Sequence, residues 1–430
     1  MTKPIPGPEI FMHLFFDCLY FLLSLVYIPI LFLRRKWHGG LLLRCGSALK
    51  GIDYSKEKRK NVWIHAVSVG EVNAIAPLVE QFLARRQEIN IFLTVTTQTG
   101  YELALKKWQS RLPVFWSPLD FSWVVKKYIS QLRPDIYVIA ETEIWPNLLS
   151  ALFRKKIPVV VINGRISPKA FGRYQWARVF LQNIFKGIKT LYVQTQQDAD
   201  RFRILGASPR SIFVVGNLKF DQSVAFEKIS RKDLGIGAQD LLWVAGSTHA
   251  KEEEILLQVY TQLRKEFPSL RLIIAPRHVE RSEELQRTIY AMGLKVMLFS
   301  NLSRDNSLED MICMIDKIGS LRSVYHLADV VFVGKSLLPP GGGQNVIEPA
   351  FFAKPIVVGA YTQNFADIIE GFLAQSALIQ IKSADELGEV MRRLLTDAHL
   401  RSELGQKAQA VVQKQQGVTQ QTFQMIQKLL

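Results

Sequence analysis

The fold is inferred first from the stretch VWIHAVSVGEV, residues 62–72. Its first six residues are largely apolar on both faces, which is typical of a strand in a parallel sheet that helices cover on both sides. Gly70 permits a tight turn, and Glu71 then falls in the first turn of a helix. A strand followed at once by a helix predicts an α/β domain.

The same alternation of strands and helix-length segments continues on both sides of a polar segment, residues 219–240. Strands are predicted at 62–67, 91–97, 136–141, 159–164, 191–195 and 212–217, and then at 241–247, 270–276, 330–336 and 355–360. These two series predict two Rossmann-like domains, 60–218 and 241–395, with a linker at 219–240 and further helices at 396–430. Ligands of open α/β folds bind beyond the carboxyl ends of the strands, so the expected site is a cleft between two sheets.

An apolar stretch of 24 residues, IFMHLFFDCLYFLLSLVYIPILFL, occupies residues 10–33. A transmembrane helix needs about 20 such residues. Three basic residues follow at 34–36, which by the positive-inside rule places the rest of the chain on the cytoplasmic side. We therefore expect a membrane anchor that spans the bilayer or lies in its interface. A buried amphipathic helix is the alternative, because His13 and Asp17 are costly in lipid.

Basic residues exceed acidic ones by 54 to 38, and the excess is concentrated between Ile144 and Gln197, where no Asp or Glu occurs. This basic stretch carries Arg154, Lys155, Lys156, Arg165, Lys169, Arg173, Arg178, Lys186 and Lys189, interleaved with aromatic residues. Near an anchor, such a surface suits anionic lipid. It would also suit nucleic acid, although no nucleic-acid-binding signature accompanies it. A solvated helix face is the remaining interpretation.

Candidate catalytic residues gather in the first half of the chain. Glu71 is either a general base or a carboxylate that stabilises a helix amino terminus. As a base it would need a raised pKa, which burial or a second carboxylate would provide. Glu141 and Glu143 in AETEIWPNL (140–148) follow a predicted strand and offer that carboxylate, or else belong to a capped helix start. Lys219 in GNLKFD (216–221) is a candidate cation for a carboxylate or phosphate, or a solvated lysine.

The second half contains three motifs at predicted strand ends. In AGSTHAKEEE (245–254), the free amides of the turn would form an anion site. IIAPRHVER (273–281) places Arg277 just beyond a strand. PPGGGQNVIEP (339–349) has three glycines that permit close approach to a ligand, and Glu348 lies where it could accept two ribose hydroxyls.

No metal or disulfide is expected. The three cysteines form no CxxC pair, and the histidines lack ligand spacing. An Asp-x-Asp pair exists at Asp198 and Asp200, but it follows Thr195 in a pattern that is typical of a capping box at a helix start.

The motifs VSVGE, ETEIWPNL, NGRIS, GNLKFD, STH, PRH and GGGxNxxE occur in this order between about Val62 and Asp367. Together they resemble the 3-deoxy-D-manno-octulosonic acid (Kdo) transferases of lipopolysaccharide biosynthesis. The resemblance implies the two-domain glycosyltransferase B fold and an inverting reaction without metal or cofactor. The implied donor is CMP-Kdo, the implied acceptor is a lipid A precursor (lipid IVA), and the implied location is the inner membrane.

The resemblance also implies roles for individual residues. Glu71 would deprotonate the acceptor hydroxyl, and Glu141 and Lys219 would stabilise the transition state. The CMP group would be bound by Pro276, Arg277, Ile318, Gly319, Ser320, Asn345, Val346, Ile347 and Glu348. Three alternatives remain: a transferase of another nucleotide sugar to lipid, a sugar-nucleotide epimerase, and a membrane-tethered nucleic-acid binder.

Overall fold

The computed structural model describes residues 15–25, 43–49, 59–85, 87–221, 226–302, 308, 310–317 and 319–430. They form two compact domains, with boundaries at 222/223 and 416/417. The first domain thus combines the amino-terminal half of the chain with its last segment.

A seven-stranded parallel sheet forms the centre of the first domain, in the order β3-β2-β1-β4-β5-β6-β7. The strands are β1 (Lys60–Ala66), β2 (Ile89–Val95), β3 (Val114–Trp116), β4 (Ile136–Ala140), β5 (Val159–Gly164), β6 (Thr190–Val193) and β7 (Ile212–Val214). All six strands predicted from the sequence are confirmed, with small shifts at their ends. The three-residue β3 escaped prediction because so short a run shows no period.

Helices cover both faces of this sheet. They are α1 (Val69–Leu83), α2 (Gln98–Trp108), α3 (Ser122–Leu132), α4 (Pro146–Arg154), α5 (Pro168–Trp176), α6 (Arg178–Gly187) and α7 (Gln196–Ile204). Alternate residues of β1 point to opposite faces, so Val62 packs in one buried cluster with Leu78 of α1. Trp63 packs in the other cluster, against Tyr128 and Tyr137. The double burial explains why the strand is apolar throughout.

The second domain repeats this architecture with the sheet order β10-β11-β9-β8-β12-β13-β14, and its strand pairs are also parallel. Its strands are β8 (Leu241–Thr248), β9 (Leu270–Pro276), β10 (Lys295–Leu298), β11 (Met311–Met314), β12 (Val330–Val333), β13 (Ile356–Val358) and β14 (Ile379–Gln380). Its helices are α8 (Glu252–Glu266), α9 (Ser282–Ala291), α10 (Leu321–Tyr325), α11 (Ile347–Phe351), α12 (Ala366–Ala374), α13 (Glu386–Thr396) and α14 (Ala398–Lys414). The four predicted strands are β8, β9, β12 and β13. The expectation of two parallel-sheet α/β domains is confirmed.

Both sheets have a point near their centre where the strand order reverses. In the first domain it lies between β1 and β4, and in the second between β8 and β12. The loops after these strands diverge and leave a crevice at the carboxyl ends, where α/β proteins bind their ligands. Functional residues are therefore expected at these two points.

The last helix, α15 (Val418–Gln427), belongs to the first domain. Phe423 packs edge to face on Phe82 of α1, with ring centroids 4.9 Å apart. The Asp221 carboxylate accepts backbone hydrogen bonds from Gly417 and Thr419. The chain thus returns to support the helix that carries Glu71.

Residues 15–25 of the expected anchor are helical, and residues 10–14 and 26–33 lie outside the described part of the chain. The Asp17 carboxylate accepts hydrogen bonds from the Ser122 amide (2.9 Å), the Ser122 hydroxyl (2.6 Å) and the Asn147 side chain (3.0 Å). Asp17, whose charge would be costly in lipid, therefore has hydrogen-bond partners at the amino termini of two helices. Within the described residues, no helix is both long and apolar enough to cross a bilayer.

Candidate active site

Glu71 lies in the first turn of α1, directly after β1, and is only 8% exposed. One carboxylate oxygen accepts the Val67 amide at 2.7 Å, and the other accepts the Ser68 hydroxyl at 3.3 Å. The neighbouring Gly70 does not have a left-handed φ, so no turn requires a glycine there. An added Cβ at Gly70 would meet only Ser68 Oγ, at 3.7 Å. Glycine instead leaves open space beside the carboxylate.

Burial, and next to it the negative charge of Glu141, raise the pKa of Glu71 to about 8. The Val67 and Ser68 hydrogen bonds oppose this rise, and the charge of Glu143 adds to it. A carboxyl group with a pKa near neutrality can accept a proton from a substrate far better than an ordinary glutamate. Both conditions that the sequence set for a basic Glu71, burial and a second carboxylate, are met.

Glu141 follows β4 with φ +58°, a left-handed conformation that is uncommon outside glycine. The turn is fixed because the Glu141 amide donates to the Ile162 carbonyl of β5 at 2.9 Å. Glu141 Oε1 lies 3.7 Å from Lys219 Nζ. The structure therefore brings together all three predicted catalytic residues, Glu71, Glu141 and Lys219, at the reversal point of one sheet.

Glu143 has a different partner. Its Oε2 lies 2.6 Å from His65 Nε2, and the Thr96 hydroxyl donates to the same oxygen at 3.5 Å. Burial raises the pKa of Glu143, but the hydrogen bond and electrostatic attraction of His65 outweigh burial, so the pKa lies below its ordinary value. Glu143 is therefore ionised at neutral pH.

Two of the three carboxylates thus have a basic partner, and the third does not. Among the described residues, Lys219 forms an ion pair with Glu141 and His65 forms a hydrogen bond with Glu143, whereas no basic side chain pairs with Glu71. The unpaired carboxylate is the one with the raised pKa. Sequence reasoning quoted His65 only as part of its motif, and it offered Glu143 beside Glu141 as the second carboxylate without a partner for it. Their proximity could have been foreseen, because both lie near the carboxyl ends of adjacent strands, β1 and β4.

In the second domain a pocket of about 290 Å³ lies at the carboxyl ends of β8, β9 and β11. Its lining includes Pro276, Arg277 and Gly319, three of the predicted nucleotide contacts. His278 and Lys317 add further basic groups. The chemistry suits an anionic ligand, because the pocket has three basic side chains and Glu280 is its one lining carboxylate among the described residues.

The remaining residues that were predicted to bind the nucleotide differ in their contacts and burial. Glu348 accepts Arg322 at 3.0 Å, and the Asn345 side chain accepts the Ile347 amide at 3.1 Å at the start of α11. The side chains of Val346 and Ile347 are buried, so their backbone alone could reach a ligand. Ser320 precedes α10, and Ile318 lies outside the described residues.

Two of the three consecutive glycines serve the packing of the protein itself. All three have positive φ. A Cβ on Gly341 would lie 2.1 Å from the Tyr361 side chain, and one on Gly342 would lie 2.3 Å from Asn364. The glycines were expected to let a ligand approach the backbone closely. At these two positions they instead allow close packing against the loop that follows β13.

The amides of the turn after β8 are not all free, contrary to the expectation of an open anion site. Buried Glu252 accepts the amides of His249 (2.7 Å), Lys335 (2.6 Å) and Leu337 (3.4 Å). This carboxylate joins the loops after β8 and β12 across the reversal point. The protein therefore supplies its own anion there.

Thr195 caps α7 and Asp198 is its partner inside the helix, as the predicted capping box requires. The Thr195 hydroxyl accepts the Asp198 amide at 3.1 Å and donates to Asp198 Oδ2 at 2.6 Å. The other Asp198 oxygen accepts the Ile166 amide at 2.9 Å. Across the described ranges, no group of three His, Cys, Asp or Glu residues has an arrangement that could hold a metal ion.

The fold and this site define a glycosyltransferase with two Rossmann-like domains. The family model for 3-deoxy-D-manno-octulosonic-acid transferase (kdotransferase) matches residues 43–222, and that for glycosyl transferases group 1 matches 227–411. The chain is 31% identical to the 3-deoxy-D-manno-octulosonic acid transferase of Haemophilus influenzae, over 86% of this chain and 87% of that protein. The protein therefore belongs to the Kdo transferase family.

Two further comparisons concern extent and fold. The chain is 35% identical, over 78% of its length, to a bifunctional glycosyltransferase/methyltransferase of Fusobacterium nucleatum, and it spans about half (52%) of that protein. The structure of UDP-GlcNAc 2-epimerase from Neisseria meningitidis superposes with a TM-score of 0.57 at 10% identity, covering 85% of this chain and 99% of the epimerase. The latter similarity concerns the fold alone.

Proposed function

We propose that the protein transfers Kdo from CMP-Kdo to a hydroxyl of a lipid A precursor, lipid IVA, with inversion at the anomeric carbon. The observation that carries this proposal is the state of Glu71. It is a buried carboxylate without a cationic partner among the described residues, with a pKa raised to about 8 and open space beside it. Membership of the Kdo transferase family supports the choice of sugar.

The reaction needs one base. The ionised Glu71 takes the proton of the acceptor hydroxyl while that oxygen forms a bond to the anomeric carbon of Kdo. The bond between this carbon and the phosphate oxygen breaks, and CMP leaves with the electron pair. A phosphate leaving group needs stabilisation of its charge rather than a general acid, so cations and amides suffice on the donor side.

Glu141 and Lys219 stabilise the transition state. Ionised Glu141 favours the positive charge that develops on the sugar ring, and the ammonium of Lys219, 3.7 Å away, holds this carboxylate in place. The left-handed backbone at Glu141 is consistent with such a role, since strained backbone often occurs at functional sites.

The donor binds in the second domain. Arg277, His278 and Lys317 surround the 290 Å³ pocket and attract the CMP phosphate. Glu348 keeps one oxygen for ribose hydroxyls while the other accepts Arg322. No metal takes part in this scheme, so EDTA should leave turnover unchanged. Strong inhibition that Mg²⁺ reverses would contradict this scheme.

The protein acts at the cytoplasmic face of the inner membrane. The N-terminal helix exposes Phe15, Leu22 and other apolar side chains, and Phe15 stacks on the exposed Phe180 of α6 with centroids 6.0 Å apart. Trp176, 91% exposed, lies in the same basic stretch. Apolar side chains beside a stretch that has basic residues and no acidic ones favour the interface of an anionic membrane.

The proposal is tested by incubating the purified full chain with CMP-Kdo and lipid IVA and analysing the product by mass spectrometry. The expected result is lipid IVA with added Kdo and release of CMP, inhibited by excess CMP but not by UDP. The UDP arm matters because the fold also occurs in UDP-GlcNAc 2-epimerases. Turnover of a UDP-sugar, or none with CMP-Kdo, would refute the assignment.

A further inference from the structure

We propose that His65 is a positioning residue, which fixes the Glu143 carboxylate after β4, at the same end of the sheet as Glu71. The inference rests on the proposed role of Glu71 and adds a source for its basicity. It gives a task to His65, to which neither the sequence motifs nor the proposed reaction gives one.

Geometry supports the fixed position. His65 lies on β1 and is 1% exposed, and its Nε2 is 2.6 Å from Glu143 Oε2. An ionised carboxylate can only accept, so His65 donates Nε2–H to it. Glu143 cannot turn away without leaving this donor unsatisfied in a buried place, which is costly.

The other side of the imidazole is also held. His65 Nδ1 lies 3.0 Å from the Thr94 hydroxyl of β2, and Trp63 Nε1 donates to that hydroxyl at 2.9 Å. With its proton on Nε2, the neutral ring donates to Glu143, and its Nδ1 can accept from the Thr94 hydroxyl, whose other acceptor is the Ile64 carbonyl at 3.4 Å. In this form the His65–Glu143 pair keeps a net negative charge.

The charges around the two glutamates come from several elements. Glu71 is affected by Glu141 and Glu143, which follow β4. Glu143 is affected by His65 of β1 and by Arg44. Two tyrosines also feel the charge of Glu143, namely Tyr137 and Tyr174. Burial remains the largest cause of the raised pKa of Glu71, and Glu143 adds to it because its own charge is stabilised by His65.

The test compares the pH dependence of kcat/KM for full-length wild type, Glu143→Gln, His65→Phe and His65→Gln with CMP-Kdo and lipid IVA. In Glu143→Gln, Glu71 loses a neighbouring negative charge, so the acid limb should move about one pH unit lower. The rate should exceed that of wild type below pH 7 and fall below it at high pH, because Glu71 is then ionised earlier but is a weaker base. Damage to the structure alone would not produce crossing profiles.

The two His65 variants test whether Glu143 needs a hydrogen-bond donor at this position or the imidazole itself. Glutamine can place an amide donor where Nε2 stands, so His65→Gln should retain the wild-type profile, whereas His65→Phe should resemble Glu143→Gln. Glu80→Gln is the control, since Glu80 lies on α1 but bonds Arg111 and Trp108. If His65→Phe does not fold, Glu143→Gln and His65→Gln decide. Superimposable profiles in all variants would overturn the inference while leaving the transfer reaction intact. Activity in Glu71→Gln would instead overturn both the base and the inference.

Discussion

The two domains share a seven-stranded parallel-sheet architecture and place opposite charges at the corresponding point. Where the strand order reverses in the first domain, Glu71, Glu141 and Glu143 face one another. At the same point of the second domain, the carboxylate of Glu252 accepts hydrogen bonds from three backbone amides. Basic side chains such as Arg277 line the adjacent pocket.

The difference shows that the chemistry resides in the loops and that the sheets only position it. A carboxylate surrounded by amides is structural, whatever its burial. A buried carboxylate beside other carboxylates remains reactive. Burial raises the pKa of both Glu71 and Glu252, so the pKa alone does not distinguish them. Their hydrogen-bond partners do.

Removing the base of the first domain should have the largest effect. Glu71→Gln should fold and lower kcat by about 10²–10⁴-fold, the contribution typical of general-base catalysis. Glu102→Gln, which changes an exposed carboxylate on α2, is the matched control. Near-normal turnover of Glu71→Gln would show that Glu71 only stabilises the start of a helix. The buried carboxylates of both domains, Glu71 and Glu252, would then be structural.

The same substitution should stabilise the fold at alkaline pH. The pKa of Glu71 is raised in the folded state to about 8, so its contribution to stability is complete below the unfolded pKa near 4.3 and is lost as the pH rises through 8. Relative to wild type, Glu71→Gln should therefore gain up to roughly 4 kcal/mol between pH 5 and pH 9. Denaturant unfolding at several pH values measures this, and a constant difference would contradict it.

Lys219 should matter less than the base. Lys219→Met preserves length but removes the ammonium that holds Glu141, and kcat should fall about 10²-fold, as for loss of one electrostatic contact at a reacting centre. Steady-state kinetics with saturating donor and acceptor measure it, with Lys295→Met as an exposed control in the other domain. An unchanged kcat would show that Glu141 keeps its position alone.

Variants of the second domain should alter donor binding only. Arg277→Ala and Glu348→Ala should each weaken CMP binding about 10- to 100-fold, since hydrogen bonds to charged groups contribute about 1.5–3 kcal/mol. Calorimetry with CMP measures the affinity, and Arg287→Ala, an exposed arginine on α9, is the control. Unaltered CMP affinity of both variants would show that the nucleotide does not bind in this pocket. Glu71→Gln should leave CMP affinity unchanged.

The effect expected at the basic stretch is the one that salt should remove. Reversing Arg173, Arg178 and Lys186 to Glu should weaken binding to anionic vesicles by about 1 kcal/mol per residue at low salt and raise the apparent KM for lipid IVA. High salt should abolish the difference. Reversal of Lys265, Lys295 and Lys382, exposed lysines of the second domain, is the control. Normal vesicle binding at low salt would make the stretch a solvated face.

The sequence predicted most of the fold because long, doubly buried strands are apolar throughout. It missed β3, β10, β11 and β14, which have only two to four residues each. Glu71, Glu141 and Lys219 were found because each follows a strand in a distinctive motif. His65 was overlooked because it sits inside a strand, and only the neighbouring β4 brings Glu143 to it. The role of Glu252 could be seen only in the structure, because two of the amides that it binds lie 83 and 85 residues further along the chain.

The return of α15 to the first domain has a consequence for synthesis on the ribosome. Phe423 and Ile426 belong to the same buried cluster as Val72 and Phe82. These side chains leave the ribosome only after the entire second domain has emerged. Domains usually fold in the order in which they are made, but here the amino-terminal domain completes its core last. During translation, the apolar surface of α1 that awaits α15 is therefore an expected binding place for chaperones.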